Sequence, residues 1–217
     1  NTIKTMMKAV ITGDIINSTA IPIEQRPQLL QVLDNIVSDL KHLCSMKYEV
    51  FRGDSFQILV DQTEWALLVA VLVRAGLRMN TPKNSKLIWD ARIAVGVGNV
   101  EFVADQIVTS DGEAFQLSGR AFDELGKQNL VVKTESEPIN EELKVSTMFA
   151  DDIISNWTPA QSFVVFESLA FEKSQKEIAE AQEQSAQNIS KISLLAKEKL
   201  IRQYINRYHQ LITHYKR

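Results

Sequence analysis

The sequence predicts an α/β protein of the α+β type, in which a mixed sheet with packed helices is followed by an all-helical segment. Short β-type runs alternate with helical patterns up to about residue 132, and strand signals stop from residue 140 onward. Charge changes along the chain as well, because residues 1–150 carry 15 basic and 19 acidic side chains whereas residues 185–217 carry seven and one. We therefore expect two domains, residues 1–155 and 156–217.

The first 60 residues predict a strand, a helix and a hairpin. Residues 8–15 (KAVITGDI) form a short apolar run that ends at Gly and Asp, which is typical of a buried strand. Apolar residues at helical spacing then follow Pro27, a residue that the first turn of a helix tolerates. Residues 48–60 contain two β-type runs joined at Gly53 and Asp54, which is a hairpin signal. The sheet is therefore not purely parallel.

The rest of the first domain completes the order β-α-β-β-α-β-α-β. Residues 64–79 are apolar nearly all round, which predicts a buried helix, and residues 90–97 alternate as a strand does. A helix over 113–125 and a last strand over 130–132 follow. Asn140 is expected to cap a helix that runs to about residue 155, and Thr158-Pro159-Ala160-Gln161 to begin another.

The cysteine content and the apolar runs indicate what kind of protein this is and where in the cell to expect it. The single cysteine, Cys44, excludes an internal disulfide and a multi-cysteine metal site. The first residues do not read as a secretory signal, and the longest apolar run, residues 65–73, is too short to span a bilayer. We therefore expect a cytoplasmic protein without a membrane partner. The basic end is typical either of a polyanion-binding surface or of a solvated helix face.

Four motifs follow one another in the first 130 residues. They are residues 13–19 (GDIINST), 52–56 (RGDSF), 92–98 (RIAVGVG) and 112–120 (GEAFQLSGR). This ordered set resembles the motifs of class III nucleotidyl cyclases. The resemblance implies a ferredoxin-like, nucleotidyl cyclase-like sheet for residues 1–155.

The resemblance also implies a nucleotide site. Asp14 and Asp54 would be the metal ligands, assisted by the backbone carbonyl of Ile15, and the metal would be Mg²⁺ or Mn²⁺. Arg120 would stabilise charge on the nucleotide phosphate, and Gln116 stands at the position of an Asn that orients the ribose. Thr109 stands where such enzymes read the base. Hard cations bind carboxylate oxygens, and an arginine neutralises developing phosphate charge, so these residue types suit that chemistry.

Several residues depart from the family pattern. Gln116 is one methylene longer than the usual Asn, and Val50 replaces a lysine that many adenylyl-type enzymes carry. Arg52 and Ser55 replace a Gly and a Glu of the diguanylate cyclase signature. Taken singly, Asp14 is better explained as a turn or cap residue and Asp54 as a hairpin-turn residue, and only the ordered set of motifs favours a metal–nucleotide site. Whether the domain is an active Mg²⁺-dependent cyclase or a degenerate one therefore stays open.

Residues 174–191 (SQKEIAEAQEQSAQNISK) are similar to the helix-turn-helix of sigma region 4. The similarity places Ala179 where the two helices approach, with Ile178 and Ile189 in the interior, and Glu183 at a turn position where Gly is usual. The implied DNA-facing residues are Ser185, Gln187, Asn188, Ser190 and Lys191. The alternative is a three-helix packing module without DNA contacts.

The combination of the two parts resembles the SatD-like family of small bacterial proteins. It implies a DNA-binding transcriptional regulator whose cyclase-like domain binds a nucleotide–metal complex as a signal. One alternative is an active class III-type nucleotidyl cyclase, and another is a protein-interaction module with neither chemistry. The resemblance to class III nucleotidyl cyclases implies a site completed across two subunits, and an apolar stripe from Leu195 to Tyr215 offers a second dimer surface, so we expect a homodimer.

Overall fold

The computed structural model describes residues 6–102, 107 and 110–216. The strands are β1 (Met6–Ile15), β2 (Met46–Phe51), β3 (Ser55–Val60), β4 (Ala91–Phe102), β5 (Asp111–Gly112) and β6 (Leu130–Thr134). The helices are α1 (Arg26–Leu40), α2 (Ala66–Met79), α3 (Glu113–Asp123), α4 (Glu137–Ser155), α5 (Pro159–Ala170), α6 (Gln175–Ala181), α7 (Ala186–Leu195) and α8 (Glu198–Tyr215). In this described part of the chain, no helix combines the length and the apolar character needed to cross a bilayer.

The strands form one mixed sheet in the order β2-β3-β1-β4. These neighbours are all antiparallel, and the free edge of β4 pairs with β6 in parallel and with the short β5. A βαββαβ unit with this arrangement is ferredoxin-like. The predicted α+β class and element order are confirmed, and β5 is the one strand of the described residues that the sequence did not predict.

Helices cover both faces of the sheet. Along β1, Ala9 and Ile11 belong to the main apolar core with the buried sides of α1 and α2. Thr12 points to the other face, where its hydroxyl lies 2.9 Å from the hydroxyl of Ser118 on α3. A Cβ atom on Gly96 would lie 2.4 Å from the backbone nitrogen of Ser118, so glycine lets α3 approach β4 this closely.

The rear helices share the core of the sheet. Phe166 of α5 and Ile212 of α8 belong to the same buried cluster as the helices beneath the sheet. Tyr208 of α8 donates a hydrogen bond to the carbonyl of Thr63 (2.8 Å), and the Trp157 indole donates one to Ala196 (2.8 Å). The apolar core thus runs across the boundary expected near residue 156, and the division into two domains stays a prediction.

One sequence expectation about a helix end is corrected, and the apolar stripe of the C-terminal segment is divided between two helices. Asn140 does not cap α4, because α4 begins at Glu137 and Asn140 lies one turn inside it. Its buried amide instead bonds the backbone N–H (2.8 Å) and carbonyl (2.9 Å) of Thr134 at the end of β6. The helical pattern after residue 192 is also not continuous, since α7 ends at Leu195 and Lys197 adopts a left-handed φ of 55°.

A buried ionic network ties the sheet to the rear helices. The Arg74 guanidinium on α2 is fully buried and donates to both carboxylate oxygens of Asp90 (2.8 and 2.7 Å) and to Asp151 on α4 (2.7 Å). Arg78 donates to the same Asp90 (2.8 Å) and to the Trp157 carbonyl (3.0 Å). Buried charges persist only when paired and hydrogen-bonded, so this network holds α2, the start of β4 and the end of α4 in one arrangement.

We expect Arg74→Leu to lower the free energy of unfolding by about 3–5 kcal/mol, because it leaves the Asp151 carboxylate without its arginine in a buried site. Urea denaturation followed by circular dichroism measures this. The control is Lys144→Leu, since Lys144 forms only an exposed pair with Glu141, worth about 0.5 kcal/mol or less. Equal losses for the two variants would contradict a structural role for the network.

Candidate functional site

The two candidate metal ligands lie at neighbouring strand ends. Asp14 is opposite Ser55 in the antiparallel β1–β3 ladder, and the backbone N–H of Ile15 donates to the carbonyl of Asp54 (2.9 Å). The β2–β3 hairpin therefore brings Asp54 beside the end of β1. Their metal-binding role stays a prediction, because backbone adjacency does not by itself define ligands.

Asp14 is held by an arginine. It is the cross-strand partner of Arg92 on β4, and the guanidinium donates to both carboxylate oxygens, from Nε at 3.1 Å and Nη2 at 2.7 Å. The hydrogen bond with Asp14 raises the pKa of Arg92. The guanidinium carbon also lies 5.4 Å from the centre of the Phe122 ring on α3, within the range of a cation–π contact.

Asp54 has neutral partners. Its carboxylate accepts a hydrogen bond from the Ser18 hydroxyl (2.6 Å) and a longer one from Ser55 (3.4 Å). No lysine, arginine or histidine of residues 6–102, 107 and 110–216 forms an ion pair with it. Asp54 therefore keeps a negative charge that no nearby cation of the described chain offsets by direct contact.

The turns around the two aspartates are conformationally strained. Asn17 (φ 53°), Arg52 (φ 56°) and Gly53 (φ 79°) all adopt left-handed backbone. For a residue with a side chain this costs about 1–2 kcal/mol, and such residues cluster at functional sites. Two of the five non-glycine residues with positive φ in the described chain lie in these two turns. The two turns at this end of the sheet thus contain left-handed backbone, as do three other non-glycine positions of the described chain.

The residues present fit one divalent ion better than two. The described part of the chain contains no group of three or more His, Cys, Asp or Glu side chains that could hold a metal. Mg²⁺ does not need such a group, because it is bound by one or two carboxylates with waters and substrate phosphates. Asp54 and the Ile15 carbonyl match that donor set. A second ion on Asp14 would have to compete with Arg92.

Gln116 and Arg120 form an exposed pair on α3. They lie one helical turn apart, and Arg120 donates to the carbonyl (3.3 Å) and side-chain oxygen (3.4 Å) of Gln116. Arg120 borders a groove of about 500 Å³ between α3, β6 and α4. Within the described residues, neither side chain bonds to Asp14 or Asp54 in the same chain. Thr109, the candidate base-reading residue, lies outside the described residues.

Helices α6 and α7 form a compact two-helix unit with α5. Ile178, Ala179 and Ile189 are buried in one cluster with Val164, which confirms the interior positions predicted for Ile178 and Ile189. Ser185 caps α7 and accepts from the N–H of Asn188 (3.1 Å). In the turn between the helices, Glu183 takes a left-handed φ of 51°, the conformation that glycine adopts most easily.

The candidate DNA-facing residues are all exposed on the N-terminal half of α7: Ser185, Gln187, Asn188, Ser190 and Lys191. The C-terminal segment carries less unpaired positive charge than its number of basic residues suggests. Three basic side chains of the C-terminal segment form ion pairs with carboxylates of this chain: Arg202 with Glu198, Arg207 with Glu142 and Lys216 with Glu64. The pairs with Glu142 and Glu64 join α8 to the rest of the protein.

The one cysteine does not add to the site. Cys44 is buried, and burial, with smaller effects from Asp61 and Glu64, raises the pKa of its thiol to about 11. The thiolate is the reactive form, so Cys44 is unreactive at neutral pH.

Comparisons with known proteins give a structural similarity only. No protein family matches the sequence, and no curated protein matches it. A bacterial light-regulated adenylyl cyclase is 13% identical with a TM-score of 0.45, over 59% of this chain and 76% of that chain. The active GGEEF domain of a diguanylate cyclase from Vibrio cholerae is 14% identical with a TM-score of 0.41, over 61% and 85%. Both TM-scores lie below 0.5.

Proposed function

We propose that the sheet domain binds a nucleotide together with a divalent metal ion at the shared end of β1 and β3. The observation that carries this proposal is the placement of Asp14 and Asp54 at adjacent strand ends, flanked by left-handed turns. Asp54 and the Ile15 carbonyl supply oxygen ligands of the kind that Mg²⁺ and Mn²⁺ accept. When bound, the ion offsets the charge of the nucleotide phosphates. The carboxylate of Asp54 holds the ion at the β2–β3 hairpin.

We expect Mg²⁺ with a suitable nucleoside triphosphate to raise the melting temperature of the full chain. Saturation at a hundredfold excess over Kd stabilises by about 2.7 kcal/mol, which corresponds to roughly 5–10 °C for a domain of this size. Asp54→Asn should abolish this shift without unfolding the protein, because it removes the anionic oxygen that holds the ion.

The control for this thermal-shift experiment is Asp39→Asn. It makes the same change in charge at an exposed position on α1, away from the strand end. Its shift should equal that of the unaltered protein. If no triphosphate raises the melting temperature with either Mg²⁺ or Mn²⁺, or if both variants respond alike, the proposed nucleotide site is wrong.

Catalysis, as in a nucleotidyl cyclase, requires a cation at the reacting phosphate in addition to the metal. Arg120 is the candidate, with Gln116 beside it, and both side chains point to solvent from α3. Because neither bonds to the aspartates of its own chain, we propose a homodimer in which α3 of one copy faces the strand end of the other. The main proposal is a domain that binds a nucleotide as a signal, and an active cyclase is the alternative.

Mixing two inactive variants tests this shared site. Asp54→Asn and Arg120→Ala should each abolish cyclase activity, and an equal mixture should regain about one quarter of it. Random pairing in a two-fold dimer makes half of the dimers mixed, and each mixed dimer keeps one intact site of two. Recovery is measured by cyclic nucleotide formation. A protein that stays monomeric with nucleotide present, or an active Arg120→Ala variant, would contradict the shared catalytic site.

A second candidate function is DNA binding by the rear helices. The observation that favours it is the exposed polar surface of α7 on a two-helix unit with a buried apolar interior. Lys191 would contact phosphate, and the Asn188 amide could pair with adenine. The ion pairs of Arg202, Arg207 and Lys216 count against strong binding, since affinity for DNA comes largely from unpaired basic side chains.

We expect Lys191→Ala to weaken binding to every duplex and to reduce the salt dependence by about one unit of slope, because one phosphate contact is lost. Asn188→Ala should instead reduce the discrimination between sequences. Fluorescence anisotropy at low salt measures both, with Lys144→Ala on α4 as the control lysine. If the folded protein binds no duplex at low salt, residues 156–217 form a packing or interaction element instead.

A further inference from the structure

The two aspartates of the candidate site have partners of different kinds. Both oxygens of Asp14 accept charged N–H groups from the Arg92 guanidinium, at 3.1 and 2.7 Å. Among the described residues, the carboxylate of Asp54 accepts only from the neutral hydroxyls of Ser18 and Ser55. The charge of Asp14 is therefore offset by direct contact, whereas that of Asp54 is not.

Arg92 is fixed in place from several directions. The β1–β4 register makes it the cross-strand partner of Asp14, and the Phe122 ring lies 5.4 Å from its guanidinium carbon. Two residues earlier, the carbonyl of Asp90 accepts from the N–H of Ile16 (2.9 Å), and the Asp90 carboxylate is locked by Arg74. The start of β4, and with it the Arg92 backbone, is thus anchored by the buried network.

We propose that Arg92 is a resident cation on Asp14, so that this site binds one divalent ion, through Asp54, and not two. This inference rests on the proposed nucleotide site and specifies its metal content. An arginine stays protonated at any physiological pH, and its planar fork matches a carboxylate at two points. A metal ion that bridged both aspartates would have to share the Asp14 carboxylate with a guanidinium that already makes two charge-assisted hydrogen bonds to it.

The pairing with Arg92 limits what Asp14 can bind. Paired with Arg92, it accepts hydrogen bonds and shapes the end of β1, and a hard cation that approached its oxygens would meet the positive charge of the guanidinium. The described strand end then offers a nucleotide one carboxylate for an ion, together with a fixed guanidinium near its phosphates. Such a site suits a nucleoside triphosphate that carries a single Mg²⁺ or Mn²⁺.

Counting bound Mn²⁺ by electron paramagnetic resonance tests the proposal with the full chain and a non-hydrolysable nucleoside triphosphate. The unaltered protein should bind one ion per chain in its complex with the nucleotide, counted after free nucleotide and free Mn²⁺ have been removed. Arg92→Met should raise the count from one to two, because it frees Asp14. Arg52→Gln, which removes an exposed positive charge in the nearby hairpin turn, should leave the count at one.

Two further variants separate the possible failures. Asp14→Asn should keep the single ion, and Asp54→Asn should lose it. Two ions on the unaltered protein, loss of the ion in Asp14→Asn, or a count of one in Arg92→Met would each overturn the inference and leave the nucleotide site standing. No protein-bound ion in the unaltered chain would overturn the nucleotide site as well.

The folding of Arg92→Met needs its own control, because the substitution leaves Asp14 unpaired. The double variant Asp14→Asn/Arg92→Met removes both charges together and should fold and bind one ion, like the unaltered protein. If the double variant folds and binds two ions, the second ion does not depend on Asp14 and the inference is wrong.

Discussion

The arrangement of this protein depends on a buried arginine, Arg74, that binds two carboxylates at once. Asp90 stands at the start of β4 and Asp151 near the end of α4, so one guanidinium joins the sheet to the helices that follow it. Removing one partner from such a group leaves an uncompensated charge in a place that water does not reach. The carbonyl of Asp90 also receives the N–H of Ile16, so the network reaches the end of β1.

The candidate site is built on this anchored end of the sheet. Antiparallel pairing on both sides of β1 sets Ser55 and Arg92 opposite Asp14, and the hairpin brings Asp54 next to Ile15. The same pairing gives the two aspartates unequal surroundings, since one faces a guanidinium and the other two hydroxyls. An ion and a nucleotide would therefore meet a site in which one carboxylate is already neutralised. This difference, more than the number of carboxylates, decides what chemistry the site supports.

Short sequence patterns predict most of the fold but few of the contacts in the candidate site. The hairpin, the capping box of α5 and the order of the elements follow from signals a few residues long, and all are present in the structure. The prediction that Asn140 caps a helix is wrong, because the sequence does not distinguish a cap residue from a residue that bonds a neighbouring strand. The pairs Arg74–Asp151 and Asp14–Arg92 join residues 77 and 78 positions apart, so only strand register and helix packing bring them together. Likewise, the number of basic residues in the C-terminal segment does not show which of them form ion pairs.

The most direct test is a crystal structure of the full chain with Mn²⁺ and a non-hydrolysable nucleoside triphosphate, using anomalous scattering to locate the metal. We predict one anomalous peak at the end of β1 and β3, within coordination distance of the Asp54 carboxylate and of a phosphate oxygen, with Arg92 still bound to Asp14. A peak coordinated by Asp14, or nucleotide bound elsewhere with no metal at this strand end, would contradict the account.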